Sequence, residues 1–348
     1  MELGNRKLQI LKAVIDEYIV SASPVGSRSL SRYPGINLSS ATIRNEMADL
    51  EEMGYLEQPH TSAGRIPSEK AYRLYVNSLM QRSGLTREEI SNIRSYYMRQ
   101  IDEVEAVIKN TALALSEVTH YTAVVLKPEL QWNRLRHLQL VPLATGRALM
   151  VVVTDAGFSR DAVIRIPNHI SAEDLERISR LLTERLFDCR MDLVGEKIAG
   201  VLANEFSGRA DFLNQIVATI ERSMKPSADS VELSGATNML HYPEYSDMNK
   251  ARNFLLAVEG KDALYDMLKR ARSVEFTVTI GNENEIEPLQ DCSIVTATYR
   301  IDETPVGSFG VIGPTRMNYG KVISVLEYMS KGLSRVLSNT NEEDRSIE

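Results

Sequence analysis

In the first 54 residues, apolar side chains recur with helical spacing in three successive segments. Residues 6–21 carry an apolar side chain at every third or fourth position with charged residues mostly between them, which predicts a helix with one buried face. Ser23 followed by Pro24 is typical of an N-cap and a first helical turn, so a short second helix is predicted through about residue 32. The chain therefore begins with a helical unit.

A third helix is predicted between a serine cap and a glycine stop. Ser39 or Ser40 can accept a hydrogen bond from a free backbone N–H of the first turn, and Gly54 can adopt the left-handed conformation that ends many helices. The predicted buried stripe consists of Ile43, Met47 and Leu50. Polar side chains between these positions should then point outward.

A small ribbon is predicted after the third helix. Residues 55–58 and 65–66 favour extended backbone, and residues 60–64 form the turn between them. A proline on each side brackets the hairpin, and proline is tolerated at strand ends because no ladder N–H is needed there. We therefore expect an exposed two-stranded ribbon with Gly64 and Arg65 at its tip.

The helical pattern continues beyond the ribbon and breaks near residues 82–84. Ser68 predicts the cap of a fourth helix. The sequence from Thr86 to Glu89 has the capping-box pattern, which predicts the start of a long helix over residues 86–118. Its apolar stripe fits packing against a core better than a dimeric coiled coil. A domain boundary is expected at the break.

Beyond residue 120 the period changes to that of strands. Four β-rich runs before residue 167 predict an antiparallel meander, and three further runs follow residue 275. Residues 169–271 between them are mostly helical, beginning at a Ser171 cap. We expect one sheet interrupted by a helical insert, then a closing helix over residues 317–337 and a polar tail over residues 339–348.

Composition adds little to this picture. The hydrophobic content is 43% and the charged content 25%, as in ordinary globular proteins. No apolar run is long enough to span a membrane and no apolar signal segment opens the chain, so a cytoplasmic protein is expected. The net charge of −7 lies outside residues 1–80, which hold equal numbers of basic and acidic residues. Cys189 and Cys292 lie far apart and are expected to be buried thiols.

Motifs for catalysis and metal binding are missing from the sequence. Glycine-rich nucleotide motifs, zinc-protease motifs and the nucleophile elbow do not occur. The five histidines are scattered without metal-ligand spacing. Residues 310–320 contain several glycines but fit a strand-to-helix turn better than a phosphate loop. We therefore expect no catalytic residue, no cofactor and no metal site.

Three helices followed by a ribbon predict a winged helix-turn-helix, whose third helix enters the major groove of DNA by its N-terminal residues. The polar side chains in these first turns are Ser40, Thr42, Arg44 and Asn45. Arginine can pair with guanine and asparagine with adenine, while hydroxyl groups suit phosphates. The alternative is that these side chains are only solvated or capping groups.

The ribbon supplies a second group of candidate DNA contacts. Gly64 would permit close approach to the sugar-phosphate backbone, and Arg65 suits the minor groove, whose negative potential attracts guanidinium groups. His60, Thr61 and Ser62 can donate hydrogen bonds to phosphates. A glycine–arginine tip is common on hairpins, so its position after the third helix is what makes it informative.

The segment LSSATIRNEMADLEEMGYLEQPHTSAGRIPSEKAYRLYV closely resembles the HrcA family of bacterial heat-inducible transcription repressors, and DCSIVTATY and GVIGPTRMNYGKVI extend the resemblance over essentially the whole chain. Small departures, such as Ala71 where glycine is expected, lie off the proposed DNA-reading face. The resemblance implies an α+β, multidomain fold: a winged helix-turn-helix at 1–82, a GAF-like antiparallel sheet domain at 86–168 and 272–338, and an inserted dimerisation domain at 169–271.

The same resemblance implies a function and partners. Members of the family bind, as homodimers, an inverted-repeat DNA operator called CIRCE upstream of class I heat-shock (chaperone) operons. Their activity depends on the GroEL chaperonin, and no membrane is involved. A second hypothesis is a ligand-gated transcription regulator whose GAF-like domain senses a small metabolite. An open pocket with convergent polar groups would favour it, and a filled apolar interior would count against it.

Overall fold

The computed structural model describes residues 3–60, 63–97, 104–128, 133–144, 146–155, 159–167, 170–198, 210–224, 230–301 and 304–343. Its helices are α1 Asn5–Ser21, α2 Ser27–Leu30, α3 Ser40–Glu52, α4 Glu69–Leu74, α5 Arg87–Tyr97, α6 Val104–Thr119, α7 Ala172–Leu186, α8 Ala210–Met224, α9 Met248–Glu259, α10 Lys261–Ala271 and α11 Tyr319–Glu343. Its strands are β1 Leu56–Glu57, β2 Ile66–Pro67, β3 Thr122–Leu126, β4 Leu135–Ala144, β5 Arg147–Thr154, β6 Ser159–Arg165, β7 Val231–Ser234, β8 Phe276–Ile280, β9 Cys292–Ile301 and β10 Thr304–Pro314. The protein is a mixed α+β fold with N-terminal helices and antiparallel sheets.

The predicted third helix and ribbon are confirmed. Ser39 caps α3 by accepting a hydrogen bond from the backbone N–H of Thr42 at 3.1 Å. Gly54 takes the predicted left-handed conformation with φ 74° after the helix ends. Strands β1 and β2 pair antiparallel, and Ser68 caps α4, which continues into a π-helical turn over Tyr75–Leu79.

The predicted start of the second helix is wrong. Helix α2 begins at Ser27, and Ser23 does not cap it. The residue between them, Val25, is extended and exchanges two backbone hydrogen bonds with Arg65, at 2.9 and 2.8 Å. A partner forty residues away therefore draws this segment into the ribbon and shortens the helix.

The predicted single helix over residues 86–118 is also wrong. The capping box of Thr86 and Glu89 forms as expected, but α5 and α6 are separate helices lying side by side. The hydroxyl groups of Tyr97 and Thr111 lie 3.2 Å apart, whereas fourteen residues of one helix would separate them by about 21 Å along its axis. The apolar positions predicted for one helix therefore belong to α5 and α6, which pack side by side in antiparallel directions.

A five-stranded antiparallel sheet forms the centre of the molecule, in the order β7-β3-β10-β9-β8. Helices α6 and α11 pack on one face, where their apolar side chains join the core of the N-terminal helices. Helices α9 and α10 cover the other face. Strand β3 is thereby enclosed between two strands that come more than a hundred residues later in the chain.

Strands β4, β5 and β6 form a second sheet of their own. The expectation that they continue the same sheet as β3 and the strands after residue 275 is wrong. One face of this second sheet packs with α7 and α8 in a separate hydrophobic core. Strand β7 and helices α9 and α10, predicted to lie in the insert, pack instead with the five-stranded sheet. The segments that form the two sheets therefore do not meet at residues 169 and 271, the predicted limits of the insert.

The N-terminal unit is fixed to the large sheet by polar contacts. The side chain of Arg316, 8% exposed, donates to the backbone oxygen of Ile19 at the end of α1 and pairs with Glu244. It lies in the turn between β10 and α11, as predicted for residues 310–320. From the other side, Arg73 of α4 pairs with Glu283 and donates to the backbone oxygen of Val278.

The remaining expectations concern the cysteines, the tail and membrane spans. Cys189 and Cys292 are buried as predicted. Helix α11 continues to Glu343, so the predicted polar tail from residue 339 begins within a helix. Among the helices described, none is long and apolar enough to cross a membrane.

Candidate DNA-binding surface

Helix α3 turns a buried stripe inward and a surface of small and polar residues outward. The inward side chains are Ile43, Glu46, Met47 and Leu50. At about 100° per residue, Ala41, Asn45 and Ala48 lie opposite this stripe, and Asn45 is exposed. Two alanines beside one asparagine leave the helix backbone accessible to a large partner.

Arg44 lies at the edge of this outward surface, on the side of the ribbon. Its side chain is exposed and makes no ion pair or hydrogen bond with the described residues. Arg44 and Asn45 are thus both placed outward, as the periodicity predicts. Among the candidates on α3, these two present donors that are not engaged with the described residues.

The hydroxyl candidates on α3 are engaged locally. Ser40 Oγ lies 3.2 Å from Ser27 Oγ of α2, and Thr42 Oγ1 lies 2.9 Å from Ser39 Oγ, the capping group. Both side chains are half-buried. They hold the start of α3 in place, so capping accounts for them at least as well as contact with a partner.

Glu46 and Asp49 of α3 are held by basic residues of the same unit. Glu46 is buried and pairs with Arg6 and Lys7, with a Lys7 distance of 2.7 Å. Lys7 also reaches Asp49 at 2.6 Å. The hydrogen bond from Lys7 holds the pKa of the Glu46 carboxyl below its ordinary value. Negative charge on the α1 side of the helix is therefore compensated before any anion approaches.

Arg65 and Gly64 do not lie at the tip of the ribbon, contrary to the sequence expectation. The Arg65 side chain is only 20% exposed and pairs with Glu51 of α3 at 2.7 Å. A Cβ added to Gly64 would lie 2.4 Å from the backbone oxygen of Val25. The close approach that Gly64 permits is therefore to the protein's own backbone, at the base of the ribbon.

The turn of the ribbon lies further out. His60 is exposed, and the Gln58 side-chain amide donates to the backbone oxygen of Ala63 at 3.1 Å across the turn. Thr61 and Ser62 fall outside the described residues. His60 is therefore the one predicted phosphate donor of the turn for which the structure gives a position.

A cleft of about 440 Å³ separates the ribbon from α2 and α3. Three arginines line it: Arg28, Arg44 and Arg65. Arg28 is exposed on α2, and like Arg44 it makes no ion pair within the described part of the chain. Sequence reasoning treated α2 only as a packing element and missed Arg28. The signal available in the sequence was a basic residue in the helix before α3.

Comparisons with known proteins bear on the whole chain. Residues 105–323 match the family model described as the HrcA protein C-terminal domain. The chain is 41% identical over 340 residues to a heat-inducible transcription repressor HrcA of Brevibacillus brevis, covering 98% of this chain and 99% of that protein. It is 42% identical over 339 residues to the protein of the same name from Pelotomaculum thermopropionicum, covering 97% of each.

One solved structure has the same fold. A crystal structure of a hypothetical protein aligns with a TM-score of 0.66 and 24% sequence identity, covering 97% of this chain and 100% of the other. At that identity the likeness concerns the fold alone. It supports the arrangement of helices and sheets described above.

Proposed function

This chain belongs to the HrcA family of heat-inducible transcription repressors, and we propose that it represses class I heat-shock operons by binding the CIRCE inverted-repeat operator as a dimer in the cytoplasm. It is a transcription repressor and not an enzyme. The single observation that carries the DNA-binding proposal is the outward surface of α3. There Asn45 and Arg44 make no hydrogen bond or ion pair with the described residues, while three of the helix's acidic residues, Glu46, Asp49 and Glu51, are paired internally.

In this proposal the first 82 residues form a winged helix-turn-helix with α3 in the major groove. Asn45, at the centre of the outward surface, would pair with adenine, and Arg44 with guanine. Ala41 and Ala48 allow the helix to enter deeply because their side chains occupy little of the groove. Ser40 and Thr42 would act through the helix start, whose free N–H groups attract phosphate.

The arginine-lined cleft supplies contacts to the DNA backbone. Arg28 of α2 and Arg44 of α3 line its helical side without an ion pair among the described residues, and His60 is exposed on the turn. Backbone contacts fix the register of a protein on the duplex without reading sequence. Arg65 contributes chiefly by holding the ribbon against α3. A contact between Arg65 and the minor groove requires that its side chain first leave Glu51.

The second part of the proposal concerns the dimer. The face of the β4–β5–β6 sheet that α7 and α8 leave uncovered carries a row of three apolar side chains directly opposite one another: Val141, Leu149 and Val163. Val141 is 39% and Val163 58% exposed, and Leu143 beside them is 56% exposed. An apolar patch of this kind on a soluble protein marks an interaction site.

Charges at the edges of this row favour a second copy as the partner. Along β6, Asp161, Val163 and Arg165 point to the same exposed face. A twofold axis crossing β6 at Val163 would place Asp161 of one copy opposite Arg165 of the other. The apolar row would then be covered by itself, as an isologous interface requires. This shifts the proposed interface from residues 170–270 to the strands before them.

The domain limits are revised accordingly. We propose that the five-stranded sheet, with α6, α9, α10 and α11, is the GAF-like domain. The inserted dimerisation domain then begins after β3 and ends before β7, rather than spanning residues 169–271. The continuous core and polar contacts between the N-terminal unit and the five-stranded sheet support treating them as neighbours in one framework.

A third part concerns the GroEL chaperonin. Val124 of β3 pairs with Leu233 and with Gly310, each more than a hundred residues away. The central sheet cannot be completed until most of the chain is present, and such long-range topologies fold slowly and expose apolar surface while they do so. Dependence on a chaperonin for the folded, DNA-binding state is consistent with this topology.

Gel-shift titration tests the DNA-binding proposal. The full chain is titrated with a duplex carrying the inverted repeat, with a single half-site and with a scrambled duplex, at two salt concentrations. We expect the inverted repeat to bind most tightly, with an affinity that falls as salt rises because phosphate contacts release counterions. Equal affinity for the inverted repeat and the scrambled duplex would refute the proposal.

Refolding tests the chaperonin dependence separately. The denatured chain is diluted into buffer with or without GroEL and ATP, and operator binding is measured against time. We expect a higher yield of operator-binding protein with the chaperonin present. The same yield in both reactions, before and after a heat step, would contradict this part of the proposal without affecting the DNA-binding one.

A further inference from the structure

An open cavity lies at the β8 edge of the five-stranded sheet, away from both the DNA-binding surface and the apolar row. Its volume is about 290 Å³. Helix α10 forms one wall, the segment of residues 283–286 forms the other, and strands β8 and β9 form the floor. Nothing in the proposed repressor mechanism makes use of this cavity.

The floor combines hydroxyl groups with apolar surface. Thr277 and Thr279 of β8 and Thr296 of β9 line it, and their hydroxyl groups have no hydrogen-bond partner among the described residues. Met267 and Ile294 contribute apolar lining beside them. A ligand with a compact apolar body can therefore pack inside and still meet donors, the usual character of small-molecule sites.

One ion pair joins the two walls. Arg270 of α10 pairs with Glu285 of the opposite segment at 2.6 Å, with both side chains largely exposed. Among the described residues that line the cavity, Arg270 is the only cation, while Glu283 and Glu285 contribute negative charge. An exposed pair of this kind is weak, so a ligand carboxylate can replace Glu285 on Arg270. Repulsion from the two glutamates disfavours a ligand with more than one negative charge.

We propose that this cavity binds a small organic monocarboxylate with an apolar body, its carboxylate held by Arg270 and its body lying over the threonine-lined floor. Volume, lining and the single accessible cation together define this ligand class. The segment of residues 283–286 is held in place by hydrogen bonds. The Asn284 side-chain amide donates to the backbone oxygens of Gly281, Leu289 and Cys292. A ligand that displaces Glu285 thus acts on the whole segment.

The same segment holds helix α4 of the N-terminal unit. Glu283 pairs with Arg73, and Asn282 donates from its backbone and side chain to Glu69, at 3.2 Å. Occupation of the cavity therefore loosens contacts that orient the DNA-binding surface. This coupling, which rests on the proposed repressor function, lowers operator affinity when the carboxylate binds.

Binding of 3-phenylpropionate and of its uncharged analogue 3-phenylpropan-1-ol to the full chain tests the site without DNA. By ligand-observed NMR, at up to about 1 mM, the acid is expected to bind more tightly than the alcohol. Arg270→Gln should weaken acid binding about tenfold, because a charge-assisted hydrogen bond is lost. Glu285→Gln should strengthen it about threefold by freeing Arg270. Lys269→Gln, on the same helix but outside the cavity, is the matched control and should leave it unchanged.

Two results would overturn the site: no binding of the acid to the wild-type chain, or equal binding to the wild type and Arg270→Gln. The coupling is tested by gel shift with and without the acid. We expect the acid to lower the operator affinity of the wild type, and to lower it much less in Arg73→Gln, which loses the pair with Glu283 from outside the cavity. Acid binding with unchanged operator affinity would overturn the coupling alone. Failure of the repressor proposal would appear instead as absent operator preference, with acid binding intact.

Discussion

The outward surface of α3 and the uncovered face of the β4–β5–β6 sheet are both exposed, yet their chemistry is opposite. On α3 the centre is Asn45 between two alanines, Arg44 lies at one edge without an ion pair among the described residues, and three acidic residues are paired internally. On the sheet the centre is an apolar row with Val163 at 58% exposure, and charges of both signs lie at its ends.

This difference separates two kinds of partner. A small, donor-rich surface beside free cations is well solvated alone and gains most from an anionic partner with hydrogen-bonding edges. An apolar row gains by leaving water, whatever covers it, and only the charges around it select the partner. The proposed partners, duplex DNA for the first surface and a second copy of the chain for the other, can therefore each be removed while the other is kept.

The largest effect is expected from a charge placed in the apolar row. Val163→Asp brings two carboxylates together near the proposed twofold axis, in a surface that would otherwise be dry. We expect the full chain to sediment as a monomer. Operator affinity should fall about 100-fold, because binding of the second half-site is no longer intramolecular.

Ser159→Asp is the matched control, since Ser159 lies exposed on the same strand and face but beyond the row. It should remain a dimer with wild-type operator affinity. Circular dichroism of both variants establishes that they are folded. A Val163→Asp chain that is folded and still dimeric would move the interface to another surface.

Smaller and more selective effects are expected on α3. Asn45→Ala and Arg44→Ala should each cost about 1–3 kcal/mol on the operator, the value of a good base contact. Binding to scrambled DNA should change little, so sequence preference relaxes. Gel-shift titrations on both duplexes give the two numbers for each variant.

Arg32→Ala removes an exposed arginine of the same unit that does not line the cleft, and its operator binding should stay at the wild-type level. Equal losses on operator and scrambled duplexes would assign Arg44 and Asn45 to the DNA backbone. Unchanged binding by both variants would mean that the outward surface of α3 is not the reading surface.

Elements marked by local signals could be predicted from sequence. Ser39, Ser68 and Ser171 each cap a helix through a hydrogen bond that spans three residues, and all three helices begin as predicted. Elements that depend on distant partners could not be. Val25 is extended because of Arg65, and a period of two in β4–β6 identifies strands without indicating which sheet they join.

The candidate site divides in the same way. Arg44 and Asn45 follow from helical periodicity alone, and the structure places both outward. Arg65 was expected at an exposed tip because the sequence does not show that its backbone pairs with Val25 or that its side chain pairs with Glu51. Arg28 was missed because the cleft that unites it with Arg44 exists only after the ribbon has folded back.

The ion pair beneath the ribbon offers a smaller test. Arg65→Ala removes a partly exposed pair with Glu51, so about 0.2–1 kcal/mol of stability should be lost. DNA binding should weaken equally on operator and scrambled duplexes, because the ribbon loses its support. Thermal unfolding and gel shifts measure the two effects.

Glu51→Gln breaks the same pair from its other side and serves as the comparison. It should lose similar stability and weaken DNA binding by a similar factor, because the ribbon loses the same support. Wild-type DNA binding by Glu51→Gln would mean instead that the released Arg65 contacts the DNA itself.

The smallest expected effect concerns the compensation of charge behind α3. Because the hydrogen bond from Lys7 holds the pKa of Glu46 below its ordinary value of 4.5, the ionised carboxylate stabilises the folded state. That stability is fully present above pH 4.5 and is lost as the pH falls through the lowered pKa of the folded chain.

Glu46→Gln should therefore be less stable than the wild type at neutral pH, and the difference should vanish in acid. Denaturant titrations at a series of pH values measure it, with Glu52→Gln, exposed on the same helix, as the control variant. A Glu46→Gln deficit that stays constant down to the acid limit would show that Glu46 acts through packing and not through its charge.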